Sequence, residues 1–245
     1  MKSVLLFCTL LLLATKAGAA GQAVTYSFAE ERFEGFFVSP APGAPLVLLI
    51  HDWDGLNDYE VQRAEMLASM GYAVFAADLF GQGLRPTALE DRRRLTNALY
   101  QDRARLRALL QRALDTAEQQ GGKVDNAVAM GYCFGGAAVL ELARSGTDLK
   151  GFVSFHGGLT TPAGQDYGRT RGSLLILHGT ADSSVTMDHF AALAVELEKA
   201  GVRHEMITYG GAPHGFTVFD SDHYRRDADE KSWQRFRDYL AETLR

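Results

Sequence analysis

The stretch AVAMGYCFGGAAVLELAR, residues 127–144, sets a short apolar run, a glycine-rich turn centred on Cys133 and a helix-spaced segment in immediate succession. A compact apolar run without polar alternation reads as a strand buried on both faces. Gly131, Gly135 and Gly136 surround a residue held in a sharp turn, where side chains two positions to either side find no room. A helix starting directly after Cys133 points its first N–H groups and its positive end at the thiol. By type alone, an unpaired cysteine is a small core residue. Strand, tight turn and helix in this order make Cys133 a candidate nucleophile instead, with cysteine standing where serine is commoner.

The alternation continues in both directions. Leu46–Ile50, Ala73–Ala77, Gly151–Phe155, Leu174–Leu177 and Met206–Tyr209 are further short apolar runs. Helical spacing runs through Tyr59–Met70, Thr87–Gln119, Met187–Ala200 and Asp229–Leu244, with Gly71 and Gly201 placed as left-handed C-terminal caps. Val24–Phe28 and Phe33–Val38, on either side of Glu30-Glu31, predict an N-terminal hairpin. Repeated strand and helix units predict an α/β fold: one domain with a mostly parallel central sheet and helices on both faces. In such sheets function collects at the carboxyl ends of the strands.

The composition suits this reading. The 245 residues are 47% hydrophobic and 22% charged, with 25 glycines and 6 prolines, which excludes a disulfide scaffold, a collagen-like repeat and a disordered chain. A formal charge of −5 supplies no field for holding phosphates, so no nucleic acid or anionic membrane surface is expected as a partner. Residues 1–19 read as a secretory signal peptide: Lys2, the apolar run Val4–Ala14, then Ala17-Gly18-Ala19 before the cleavage point. Residues 20–245 are then the exported domain, periplasmic or secreted. An uncleaved interfacial anchor is the competing reading, and no later stretch approaches the roughly 20 apolar residues of a membrane span. Of the 2 cysteines, Cys8 leaves with the signal, so Cys133 has no internal disulfide partner.

A thiol nucleophile needs a base, and the base needs an orienting acid, which in this fold follow the nucleophile as acid and then histidine. Asp182 lies beyond the run Leu174–Leu177 in His178-Gly179-Thr180-Ala181-Asp182, and His214 follows the last strand in Gly210-Gly211-Ala212-Pro213-His214-Gly215-Phe216. Among the 7 histidines, His189, His204 and His223 read as surface residues. His51, His156 and His178 each end a strand and read as satisfied structural histidines that border the site. Asp78 precedes the nucleophile and reads as a loop cap. No His, Cys or carboxylate cluster has metal-ligand spacing, so no metal is expected. The backbone N–H groups of Phe134 and Trp53 are the expected oxyanion donors.

Gly131-Tyr132-Cys133-Phe134-Gly135-Gly136, His178-Gly179-Thr180-Ala181-Asp182 and Pro213-His214-Gly215-Phe216 together resemble the dienelactone hydrolase family of the α/β-hydrolase superfamily, over a similarity running from about Phe33 to the C-terminus. The resemblance implies a Cys133–His214–Asp182 triad that opens an ester or lactone bond of a small molecule through a thioester, without a cofactor. It also implies that Asp52, where well-studied members have a longer glutamate, bonds the resting thiol and moves aside for substrate. Those members have a serine directly after the histidine and an arginine four residues after it, both on the substrate carboxylate; here Gly215 and Val218 stand there. Arg103 is the candidate substitute and, with His156 and Phe216, the candidate lining of the substrate pocket. Arg92, Arg93, Arg94, Arg105 and Arg107 read as a solvated helix face. The same triad could serve an acyltransferase or thioesterase, and a redox-responsive or non-catalytic binding protein is the reading outside enzymology. A monomer or small homo-oligomer is expected.

Overall fold

The computed structural model describes residues 20–244; the signal-peptide expectation and Cys8 lie outside the described residues. Eight strands form one sheet: β1 (Gln22–Phe28), β2 (Glu31–Val38), β3 (Pro45–Ile50), β4 (Ala73–Ala77), β5 (Lys123–Tyr132), β6 (Gly151–Phe155), β7 (Ser173–Gly179) and β8 (His204–Tyr209). Their spatial order is β1-β2-β4-β3-β5-β6-β7-β8. The hairpin β1–β2 is antiparallel, β2 joins β4 antiparallel, and every pairing from β4 to β8 is parallel. The strand before Cys133, β5, therefore lies inside the sheet, where its carboxyl end is flanked by those of β3 and β6.

The helices are α1 (Asp58–Ser69), α2 (Leu89–Gln101), α3 (Arg103–Gln119), α4 (Phe134–Ser145), α5 (Met187–Ala200) and α6 (Arg226–Thr243). The period-2 pleat sends Leu46, Leu48 and Ile50 to one face, with Leu109 and Ala113 of α3, Val139 of α4 and Leu193 of α5. Val47 and Leu49 go to the other face, with Ala64 and Leu67 of α1 and Trp233, Phe236 and Leu240 of α6. Helices thus cover both faces, as expected.

The expected helix Thr87–Gln119 is two helices. Asp102 closes α2 through its N–H to Ala98 and opens α3, its side chain accepting from Arg105 N at 2.9 Å. An aspartate that can cap a helix competes with continuing it, and apolar spacing does not register that competition. The break also changes the reading of the arginines. Arg93 and Arg94 are exposed, whereas Arg92, Arg103, Arg105 and Arg107 are half-buried and paired with Asp54, Glu141, Glu31 and Glu141. No helix of the described residues is long and apolar enough to cross a membrane.

Candidate active site

Cys133 stands between β5 and α4 with φ 48° and ψ −109°, a strained conformation for a residue with a side chain. Its neighbours permit it. A Cβ on Gly135 would lie 2.3 Å from the Ile50 carbonyl oxygen, and one on Gly131 would lie 2.3 Å from the Gly135 carbonyl carbon, so the start of α4 packs directly on β3 and β5 only because both positions are glycine. The turn is held by Cys133 N donating to Phe155 O at 3.0 Å and Ala137 N donating to Cys133 O at 3.2 Å.

Asp182 and His214 come together by a second close approach. A Cβ on Gly179 would meet Ala212 O at 2.2 Å, and without it Ala181 N reaches Ala212 O at 3.0 Å while Gly211 N reaches Thr180 Oγ1 at 2.9 Å. These contacts bind the loop after β7 to the loop after β8. Asp182 Oδ1 accepts from Ser184 N (2.9 Å) and Val185 N (2.8 Å), while Oδ2 meets His214 Nδ1 at 2.7 Å. Burial alone would raise Asp182, but the His214 contact and these N–H groups hold its carboxyl below the usual aspartate range. Burial would likewise lower His214, yet the Asp182 bond and charge, with the charge of Asp52, raise it above the ordinary imidazole value. With Nδ1 committed to Asp182, Nε2 is the nitrogen left to accept a proton.

The thiol is at rest against Asp52. Burial first, then the charge and hydrogen bond of Asp52, push the Cys133 thiol well above its normal range, opposed by the Phe134 N–H. Asp52 is itself pushed up to about 6 by burial and by Asp54. Trp53 N–H donates to Asp52 Oδ1. Of the expected oxyanion donors, Trp53 N–H is therefore engaged by the carboxylate, while Phe134 N–H lies close enough to the thiol to oppose its rise.

The remaining candidates separate. Arg103 borders a cavity of about 210 Å³ beside the elbow, lined also by Tyr100, Ala137, Leu159 and Val185. His156 and Phe216 do not line it: both are wholly buried beneath His214, their rings 5.4 Å apart, and His156 is 5.3 Å from the His214 ring. Wholly buried, the two rings support His214 from below rather than facing the Arg103 cavity. Of the strand-end histidines, His51 is satisfied, its Nδ1 on Asp52 O at 2.5 Å and its Nε2 accepting from Leu79 N at 3.1 Å. His178 is not: it is buried against Phe190, neither ring nitrogen makes a well-formed hydrogen bond, and burial lowers its pKa. Asp78 caps its loop through Phe80 N (3.0 Å) and Gly81 N (3.1 Å).

Several supporting residues escaped the sequence reading. Arg63 Nε donates to Tyr59 Oη (3.3 Å), Tyr59 donates to Thr217 Oγ1 (2.8 Å), and Thr217 meets His156 Nε2 (2.8 Å), a buried chain beneath the His214 loop. Glu60 Oε1 accepts from Asp52 N (3.2 Å) and Oε2 from Asn57 N (3.1 Å), which fixes the loop carrying Asp52 and Trp53. Its place three residues after Asn57 before a helix was the available signal. His223, exposed, bonds the His214 carbonyl through Nδ1 at 2.9 Å. Among the described residues no three His, Cys, Asp or Glu side chains are grouped as metal ligands.

Comparison with known proteins agrees with the fold. The solved structure of m3DLH is 34% identical with a TM-score of 0.89, matching 94% of this chain and 100% of its own. A dienelactone hydrolase-like promiscuous phosphotriesterase, P91, from metagenomic libraries is 32% identical with a TM-score of 0.87, over 93% of this chain and 100% of its own. A Synechocystis protein named "Putative carboxymethylenebutenolidase" is 25% identical over 82% of this chain and 87% of its own length. The dienelactone hydrolase family model matches residues 33–244, so the chain belongs to the dienelactone hydrolase family and is a hydrolase.

Proposed function

We propose that the protein hydrolyses small esters or lactones with Cys133 as nucleophile, His214 as base and Asp182 as its orienting acid. The observation that carries this reading is the 2.7 Å bond between Asp182 Oδ2 and His214 Nδ1, past the carboxyl ends of β7 and β8 in the parallel sheet whose β5 leads into Cys133 at φ 48°, with Asp52 acted on by both Cys133 and His214. Because the thiol rests protonated, His214 Nε2 takes its proton as sulfur attacks the carbonyl carbon. The carbonyl π pair moves to oxygen, returns as the leaving group departs with the proton from His214, and leaves a thioester. Water, deprotonated by His214, then releases the acid. For Trp53 N–H to receive the oxyanion, Asp52 must swing or become protonated; each backbone donor is worth about 3–4 kcal/mol in comparable sites.

Arg103, Arg107 and Arg144 converge on one buried carboxylate, Glu141, at 3.5, 2.7 and 2.8 Å. The cavity bordered by Arg103 therefore carries excess positive charge, and an acidic substituent of the substrate would be held there rather than at Gly215 and Val218. Export after residues 1–19 is part of the proposal and is read by N-terminal sequencing of the mature protein.

Turnover of p-nitrophenyl acetate by the protein and by Cys133→Ala, with intact-mass detection of an acetylated cysteine, tests the triad. Equal rates in the two proteins would remove the thiol from the mechanism. An acetyl burst followed by slow turnover, accelerated by an added alcohol or amine, favours acyl transfer over hydrolysis.

A further inference from the structure

Tyr100, near the end of α2, lines the Arg103 cavity and has been given no role so far. Its ring packs on Phe134, the residue directly after the nucleophile, with centroids 5.5 Å apart. On its other side the Arg103 guanidinium lies 4.7 Å from the ring centroid, just past the break at Asp102. The residue is thus fixed from two sides at the rim of the cavity that Ala137, Leu159 and Val185 complete. Tyr100 is half-buried on that cavity, and among the described residues no protein group holds its hydroxyl, which is left to donate to whatever enters the cavity. Burial acts on it first, then its neighbours Cys133, Arg103 and Asp52. Burial and the two acidic neighbours push it up, so the group is a donor at every ordinary pH.

The direction in which this donor serves follows from its neighbours. Tyr100 packs on the ring of Phe134, whose N–H is one expected oxyanion donor, while Asp52, which also acts on Tyr100, occupies the other at Trp53. His214 is held by Asp182 on the loop after β8 and, in the proposed mechanism, serves the leaving group. We infer that the Tyr100 hydroxyl is a third oxyanion donor, a catalytic residue that hydrogen-bonds the substrate carbonyl oxygen as sulfur attacks. The Sγ–C bond forms, the π pair moves onto oxygen, and Tyr100 keeps its proton while donating to that oxygen. The charge is released when the pair returns and the bond to the leaving group breaks. A side-chain donor on α2 also compensates for the Trp53 N–H during the interval in which Asp52 still occupies it.

This inference rests on the proposed triad, and one experiment separates the two. Tyr100→Phe keeps the ring against Phe134 and beneath Arg103 and removes only the hydroxyl; its thermal midpoint is measured alongside to show that the fold is intact. With p-nitrophenyl acetate, kcat is expected to fall by about 10–100-fold, with KM within threefold, the scale of a lost transition-state donor. With the matching thionoester, whose sulfur is a poor acceptor, the loss should shrink to threefold or less. A variant within twofold of the parent on the oxygen ester, a loss confined to KM, or equal losses on both esters would overturn the inference. An active Cys133→Ala would instead overturn the triad, whatever Tyr100→Phe does.

Discussion

The backbone N–H of Trp53 donates to the carboxylate of the preceding residue, Asp52, and that same carboxylate bonds the Cys133 thiol. One side chain thereby raises the thiol of the proposed nucleophile and occupies a proposed oxyanion donor. Asp52→Asn leaves an oxygen for Trp53 and removes the negative charge. Since that charge raises the thiol, its loss lowers the Cys133 pKa and increases the thiolate fraction at any fixed pH. Alkylation by iodoacetamide at pH 8 should be faster in the variant, with its pH midpoint displaced downward. An unchanged midpoint would show that burial alone sets the thiol.

His214 must be neutral to act as a base. Its pKa lies above the ordinary value because Asp182 outweighs burial, so the acid limb of kcat/KM should lie above about 6.5. Asp182→Asn withdraws that support, and burial then dominates. The limb should move to lower pH while the plateau falls by about 10⁴-fold, the loss seen for this change in serine triads, where the histidine tautomer is no longer fixed. A variant whose limb stays in place would show that another group sets the base.

The sheet, the hairpin and the meeting of Asp182 with His214 were legible because each rests on local pattern: period, turn residues and chain order. Asp182 and His214 stand out in sequence as polar residues just past apolar runs, and their pairing needed only Gly179 to admit Ala212. The break at Asp102 was not legible, since one capping carboxylate decides it against continuous helical spacing. Nor was the chain from Arg63 to His156, whose members are 154 residues apart at its Arg63–Thr217 contact and fall at positions that read as helix surface or core. Gly215 shows the limit from the other side. Its φ of 73° explains a glycine, so the residue after His214 is set by the backbone as much as by the substrate.

Arg63 carries the heaviest structural load of any charge near the site. It is 1% exposed, pairs with Asp229 at 2.5 Å, donates to Thr217 O at 2.9 Å and lies 4.2 Å from the centroid of Phe219. Arg63→Ala would leave Asp229 without its cation, held only by the Tyr224 hydroxyl at 3.2 Å, and loosen the loop of His214, a loss of about 3–5 kcal/mol. Asp229→Asn should cost less, because an amide oxygen still accepts from the guanidinium. Urea midpoints at constant m-value measure both, and equal losses in the two variants would contradict the unpaired-charge account.

Arg103 is proposed to distinguish substrates, and the fold does not depend on it to neutralise Glu141. Removing it leaves Glu141 paired with Arg107 and Arg144, so no buried carboxylate is stranded. Its pKa is lowered, by burial more than the Glu141 and Tyr100 partners restore, which is the condition of a cation crowded among other cations and available to a further anion. Arg103→Gln should therefore reduce kcat/KM for an ester bearing a free carboxylate by about tenfold or more, one charge-assisted hydrogen bond. The effect should fall mainly on KM, and a neutral isostere should change by less than twofold. Equal losses on the charged and neutral esters would mean that Arg103 acts only by holding Tyr100, and the acidic-substituent reading would fail while the oxyanion role of Tyr100 remained open to its own test.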